Sequence, residues 1–385
     1  MTSKRIGHRA ARRVLVVGPV PPPLHGVTVM TAALLDALHD SAWQVVRVDT
    51  SDHRSIDNIG RFDLGNVVFA LRHAARFTRT LLRTRPDIVY LPLSQGVAGF
   101  TRDAVFLVAA RLSAAQVVVH AHGALYQEFY RRMPAAVRGL MRFSMGRVRM
   151  IIVLAEAQRR QFEGWAPRRA RIEVIPNGVR DEWSTGIPRR LPQEGGTVLF
   201  LGNLLPQKGF LDVLDAVPMV LRMVPGARFV FAGRPAWNEA MTALVSATLR
   251  EPNVEQSTTF AGVVGPAERR TLLEGADVLV FPPQRNEGQG LVALEAMSAG
   301  LPLVVTASGG LAETVHDDVE AIIVPKQDPQ AVAAAVTRLL QDSGLRARMG
   351  AAARERFESE YTLVRWESRM IEAFEAAAEP ASGCR

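Results

Sequence analysis

The chain has a single cysteine among its 385 residues, Cys384. That excludes a disulfide framework and a thiolate metal cluster, and it leads us to expect a cytoplasmic compartment. Aromatic residues make up only 6%, too few for the stacking platforms that single-stranded nucleic acids need, so no nucleic-acid partner is expected. No apolar run reaches the about 18 residues of a membrane span. The basic start, MTSKRIGHRAARR, leads only into the short apolar stretch 14–17, which reads as a strand. Neither GxGxxG nor GxxxxGK[ST] occurs, which weakens redox-dinucleotide and P-loop readings.

The apolar content of 48% is enough for two cores, and two domains of roughly 180 residues are the natural division. The net charge of +8 is unevenly spread. Residues 1–185 hold 27 Lys and Arg against 14 Asp and Glu, whereas the remainder holds 19 against 24. A basic first half suggests a local anionic partner such as a membrane surface or a phosphorylated acceptor; a merely solvated arginine-rich face is the plainer alternative.

Both halves alternate short β-branched runs with longer helical stretches, the pattern of parallel sheets covered by helices on both faces. Strands are expected at 13–17, 44–48, 88–91, 116–120, 150–154 and 172–175, then at 198–201, 228–232, 258–260, 278–281, 303–305 and 321–324. The Pro- and Gly-rich segment DEWSTGIPRRLPQEGG, 181–196, marks the join. Expected domains are therefore 1–187 and 188–360, two Rossmann-like doubly wound units facing a cleft. An amphipathic tail helix, 361–380, would pack back on either unit.

The most informative stretch is FPPQRNEGQGLVALEAMSAGLP, starting at Phe281, where a strand end passes through a glycine loop into a helix. Ligands of doubly wound sheets bind beyond the carboxyl ends of the strands. Gly288 and Gly290 permit close backbone approach, and the N–H groups that open the following helix suit a diphosphate. At helical rise, Glu287 and Glu295 would lie roughly 12 Å apart, more than the roughly 5–9.5 Å of paired glycosidase carboxylates. Such spacing suits the two ends of one extended ligand. A ribose diol at one carboxylate and a sugar at the other describe a nucleotide sugar.

Two glutamates separated by seven residues, within EGQGLVALEAMSAGLPLV, resemble the signature of the retaining glycosyltransferases of family 4, whose fold is GT-B. Further segments similar to that family occur in order: GPVPPPLHGV, HAHG, IPNGV, LGNLLPQKG and SGGLAETV. The resemblance implies that Glu287 lies against the donor sugar and that the backbone of Gly288, Gln289, Gly290 and Leu291 holds diphosphate and sugar hydroxyls. It implies that Glu295 binds the ribose and Lys208 the departing diphosphate. It also implies that His122, with His120 second, is the histidine near the donor sugar. Family members often carry arginine where Asn203 stands, and Arg234 and Arg285 are the candidate substitutes. No catalytic metal or other cofactor is expected.

In the first half, Gly26 and His25 close a proline-rich loop that could reach diphosphate or acceptor. Arg72, Arg76, Arg79 and Arg83 share one face of an expected helix, and Arg131, Arg138, Arg142 and Arg149 are expected to do so on the next. Basic amphipathic helices of this kind can dock on anionic lipid. The resulting expectation is a retaining transferase using a nucleoside-diphosphate sugar and an acceptor glycan or lipid-linked sugar, peripheral at the inner face of the cytoplasmic membrane. A nucleotide-sugar epimerase of similar fold and a non-catalytic nucleotide-sugar or nucleic-acid binding protein are the alternatives.

Overall fold

In the computed structural model, residues 12–51, 64–184, 195–235 and 238–379 are described. The chain forms two compact units, one of Met1–Ile175 with Glu367–Arg385 and one of Pro176–Trp366. These bounds differ from the expected 1–187 and 188–360, for a local reason. Val179 N donates to the Tyr361 carbonyl and Leu363 N to the Val179 carbonyl, at 3.0 and 2.8 Å. Arg354 also grips Asp181 with two nitrogens, at 2.7 and 2.6 Å. The chain from Pro176 is thereby bound into the second unit. Most of the expected join lies outside the described residues, and the tail helix, Leu363–Ala378, contributes its first residues to the second unit and the rest to the first.

The first unit is a parallel sheet of β1 (Arg13–Gly18), β2 (Gln44–Asp49), β3 (Ile88–Pro92), β4 (Gln116–Ala121), β5 (Val148–Val153) and β6 (Arg171–Val174), in the order β2-β1-β3-β4-β5-β6. The second contains β7 (Thr197–Leu201), β8 (Arg228–Ala232), β9 (Thr258–Gly262), β10 (Val278–Phe281), β11 (Leu303–Thr306) and β12 (Ala321–Val324), in the order β12-β11-β10-β7-β8-β9. Central strands such as β3, β10 and β11 are buried at every residue. Helices therefore cover both faces, which is why these strands are unbroken apolar runs rather than alternating ones.

Winding reverses once in each sheet, between β1 and β3 and between β7 and β10. At such a point neighbouring strands send their following loops to opposite faces and leave a crevice at the carboxyl edge. In the second unit that edge brings together the loop after β7, with Lys208, and the loop after β10, with Glu287.

Gly209 makes this approach possible. Its φ of 81° lies in the left-handed region, and a Cβ there would stand 1.9 Å from the Pro282 carbonyl oxygen. Only glycine satisfies both conditions. Gly209→Ala is expected to lower stability by about 2–4 kcal/mol. An unchanged denaturation midpoint in urea would contradict this packing.

Candidate functional site

Lys208 ends a 3-10 turn, Pro206–Lys208, after β7. Its Nζ lies 2.5 Å from Glu287 Oε2 and 5.6 Å from the centre of the Phe281 ring. The Glu287 main chain is fixed as well, since Gly310 N donates to its carbonyl at 3.0 Å. Beyond it, Gly288, Gln289 and Gly290 are all buried. Gly290 adopts φ 78° as the N-cap of the helix Leu291–Ser298, with no side chain capping the helix end. Gln289 is bonded through its side chain, Oε1 accepting from Asn177 N at 2.7 Å.

Glu295 lies one turn into that helix and has its own cation, Arg269 NH1, 2.7 Å from Oε1. Burial is the main cause that raises its pKa; the Arg269 charge opposes this and the Glu182 charge adds to it. Glu287 stands in a loop, so the helical rise assumed for the spacing of the two glutamates does not apply to its first half. Each glutamate is paired with a different cation, an arrangement unlike a two-carboxylate hydrolase site.

Asn203 is exposed in the loop after β7. Leu204 N donates to the Arg234 carbonyl at 2.9 Å, which runs the Asn203 and Arg234 loops side by side. Arg285 is exposed two residues before Glu287. Of the loop 235–238, Ala236 and Trp237 lie outside the described residues.

In the first unit, His120 and His122 emerge on one side of the β4 end, their ring centres 3.9 Å apart. His120 is fully buried and its Nδ1 lies 2.9 Å from the Tyr90 hydroxyl. It packs against His122 and is held by Tyr90, and its Nε2 is buried without a hydrogen-bond partner. Burial first, and the His25 charge second, push His122 down to about 4. Its Nε2 is buried with no hydrogen-bond partner. His25 serves as the N-cap of the helix Gly26–His39, its Nδ1 accepting from Thr28 N at 3.4 Å while Thr28 Oγ1 accepts from His25 N at 2.9 Å. His25 is thus held as the cap at the end of an exposed loop.

The arginine faces divide. Arg72, Arg76, Arg79 and Arg83 all lie exposed on the helix Leu64–Thr84. The second set does not share one helix: Arg131 is on Tyr126–Arg132, Arg138 and Arg142 are on Ala135–Met145, and Arg149 is on β5. Pro134 breaks the helix, because it lacks an N–H and forces extended backbone on Met133.

Sequence reasoning missed Arg269 and Tyr90. Arg269 carries no local signal, since it lies on a helix 26 residues before its partner. Tyr90 was legible only as the one hydroxyl in an aliphatic strand, IVYLP. Among the described residues, no group of three or more His, Cys, Asp or Glu is placed to hold a metal, and no helix is long and apolar enough to cross a membrane.

Comparison with known proteins identifies the family and the fold. The family model described as Glycosyltransferase Family 4 matches residues 24–183, and that described as Glycosyl transferases group 1 matches residues 187–356. The chain is 30% identical over 274 residues to the GDP-mannose-dependent alpha-(1-6)-phosphatidylinositol monomannoside mannosyltransferase of Mycobacterium tuberculosis, covering 67% of this chain and 69% of that one. It is 34% identical over 202 residues to the glycogen synthase of the same organism, a match spanning 52% of this chain and only 47%, about half, of that relative. The crystal structure of Anabaena Alr3699/HepE in complex with UDP-glucose superposes with a TM-score of 0.72 at 16% identity, over 94% of this chain and 99% of that one. With two family models in tandem on two parallel six-stranded units, the chain belongs to glycosyltransferase family 4, the group 1 glycosyl transferases, and has the GT-B fold.

Proposed function

We propose that the chain transfers a sugar from a nucleoside-diphosphate sugar to an acceptor hydroxyl, with retention of anomeric configuration. One observation carries the reading. A lysine and a glycine-opened helix N-terminus converge at the winding reversal of the second sheet, with Glu287 between them and Glu295 one turn further on. Lys208 and the first N–H groups of Leu291–Ser298 supply positive charge for a diphosphate, Glu287 faces the sugar and Glu295 the ribose. The relatives named above are consistent with this donor class, one being GDP-mannose-dependent and another crystallised with UDP-glucose.

In the chemical step the acceptor oxygen bonds to the anomeric carbon on the face from which the diphosphate oxygen leaves. The acceptor proton passes to that departing oxygen. Lys208 stabilises the charge that develops on the diphosphate, an electrostatic role that needs no metal. His122, uncharged well below neutral pH, is assigned to a hydrogen bond with the transferred sugar.

A membrane-presented acceptor, such as a lipid-linked sugar, is favoured by the first unit. On the helix Leu64–Thr84, exposed Leu71 and Leu82 accompany the four exposed arginines. Leu140 and Phe143 are exposed on Ala135–Met145, beside Arg142. Apolar side chains set among arginines suit the interface of an anionic bilayer, where each arginine contributes about 1 kcal/mol.

Three outcomes test this function. Lys208→Ala is expected to lower the rate of transfer by about 100-fold or more, as loss of a preorganised charge partner does. Glu295→Ala is expected to abolish nucleoside-diphosphate binding in calorimetry with the fold intact, and undiminished affinity would refute the donor site. Replacing Arg72, Arg76, Arg79 and Arg83 by alanine is expected to release the protein from phosphatidylglycerol vesicles in cosedimentation, and unchanged pelleting would remove the membrane reading. Product analysis in the presence and absence of acceptor separates transfer from epimerisation, since an epimerase converts the donor without an acceptor.

A further inference from the structure

Glu295 is mostly buried, on a helix that otherwise packs into the apolar core of the second unit. A lone carboxylate in such a place would take up a proton and lose its charge. Its counter-charge comes from Arg269, on the helix Pro266–Gly275. The contact between them uses one nitrogen and one oxygen, although a guanidinium and a carboxylate can form two parallel hydrogen bonds. The atoms left over are Glu295 Oε2 and Arg269 Nε, both buried and both without a hydrogen-bond partner. Oε2 can only accept while the carboxylate is charged, and Nε–H can only donate.

A free acceptor and a free donor on one ion pair match a vicinal diol, in which one hydroxyl donates and its neighbour accepts. We propose that Arg269 is a positioning residue of the nucleotide subsite, holding the Glu295 carboxylate in one rotamer and presenting with it an acceptor and a donor to the two hydroxyls of a ribose. This rests on the reading of Glu295 as the nucleoside contact.

Two charged groups act on Glu295. Arg269 approaches from the helix Pro266–Gly275, and Glu182 from the segment that enters the second unit, where its charge opposes ionisation. On the neighbouring helix Ser343–Arg356, Arg354 is committed to Asp181 and to the Ser298 carbonyl. Without Arg269, burial and Glu182 both favour the protonated acid. The sign follows: a variant lacking the guanidinium binds nucleotide poorly at low pH and recovers as rising pH ionises Glu295, whereas in the wild type the Arg269 charge opposes that protonation and the dependence on pH is weaker.

The experiment titrates UDP, GDP and ADP into the wild-type chain by calorimetry and carries forward the one that binds best. Its Kd is then measured for Arg269→Gln, Arg269→Lys and Glu295→Gln between pH 6 and 8.5. Each value is expressed relative to wild type at the same pH, which cancels titration of the phosphates. Arg269→Gln is expected to weaken binding about 10- to 100-fold at pH 6, the loss of a charge-assisted contact, and to recover most of that by pH 8.5. Arg269→Lys, which keeps the charge but lacks the Nε–H donor, is expected to bind more weakly than wild type by a factor that stays nearly constant with pH. The 2′-deoxy form of the same nucleotide should lose affinity for the wild type and lose less for Arg269→Gln. A deficit in Arg269→Gln that is constant across the pH range, or no deficit at all, overturns the proposal. If Arg269→Gln does not fold, a deficit in Arg269→Lys that varies with pH overturns it as well. Undiminished binding by Glu295→Gln, or no binding of any of the three nucleotides to wild type, instead overturns the underlying assignment of the donor site.

Discussion

A parallel sheet covered on both faces leaves only its two edges of strand ends for chemistry, and this constraint organises both units. Strands such as β3, β10 and β11 are buried at every residue, so none of their side chains can meet a ligand without losing a core contact. On the proposed reading, function is displaced to the carboxyl ends, and within them to the reversal between β7 and β10. The loops there are held by main-chain contacts that tolerate no side chain, as where Gly209 meets the Pro282 carbonyl and Gly309 meets that of Glu287. Rigid loops of this kind place Lys208 and Glu287 to within hydrogen-bond distance although 79 residues separate them in sequence.

The same constraint explains what was legible beforehand. The observed limits of all twelve strands differ from expectation by at most two residues, and central strands such as β3, β10 and β11 are the plainest because burial on both faces demands unbroken apolar sequence. The glycine loop before the helix Leu291–Ser298 was legible because loop chemistry is local: Gly290 supplies the left-handed backbone at the helix start. Partners that meet only through the fold were not. Arg269 looks like one of two arginines on a solvated helix until the winding of the sheet brings it to Glu295. The compact units divide at Pro176 rather than near 187 for a related reason, since Asp181 reads as part of a linker and only its grip by Arg354, 173 residues away, ties it to the second unit.

Local rules act beside motif reading in the first unit. His25 caps a helix, a duty that a loop histidine before Gly-Val-Thr can perform because its Nδ1 reaches the Thr28 N–H. Pro134 divides what periodicity alone presents as one basic helix, and Arg149 falls on a strand. The remaining arginine face, on Leu64–Thr84, keeps both its charge and its exposed leucines.

The pairing of Lys208 with Glu287 gives the donor loop a property of its own. An anion arriving there does not find a bare ammonium; it finds one already engaged by a carboxylate at 2.5 Å. Its arrival is therefore an exchange, in which the newcomer shares the ammonium or displaces the glutamate. A singly charged ion offers Lys208 little more than Glu287 already provides. A group with several negative oxygens, able to reach the helix N–H groups at the same time, offers more. On the proposed reading of Lys208 as a diphosphate contact, the built-in carboxylate makes the loop favour anions of higher charge number.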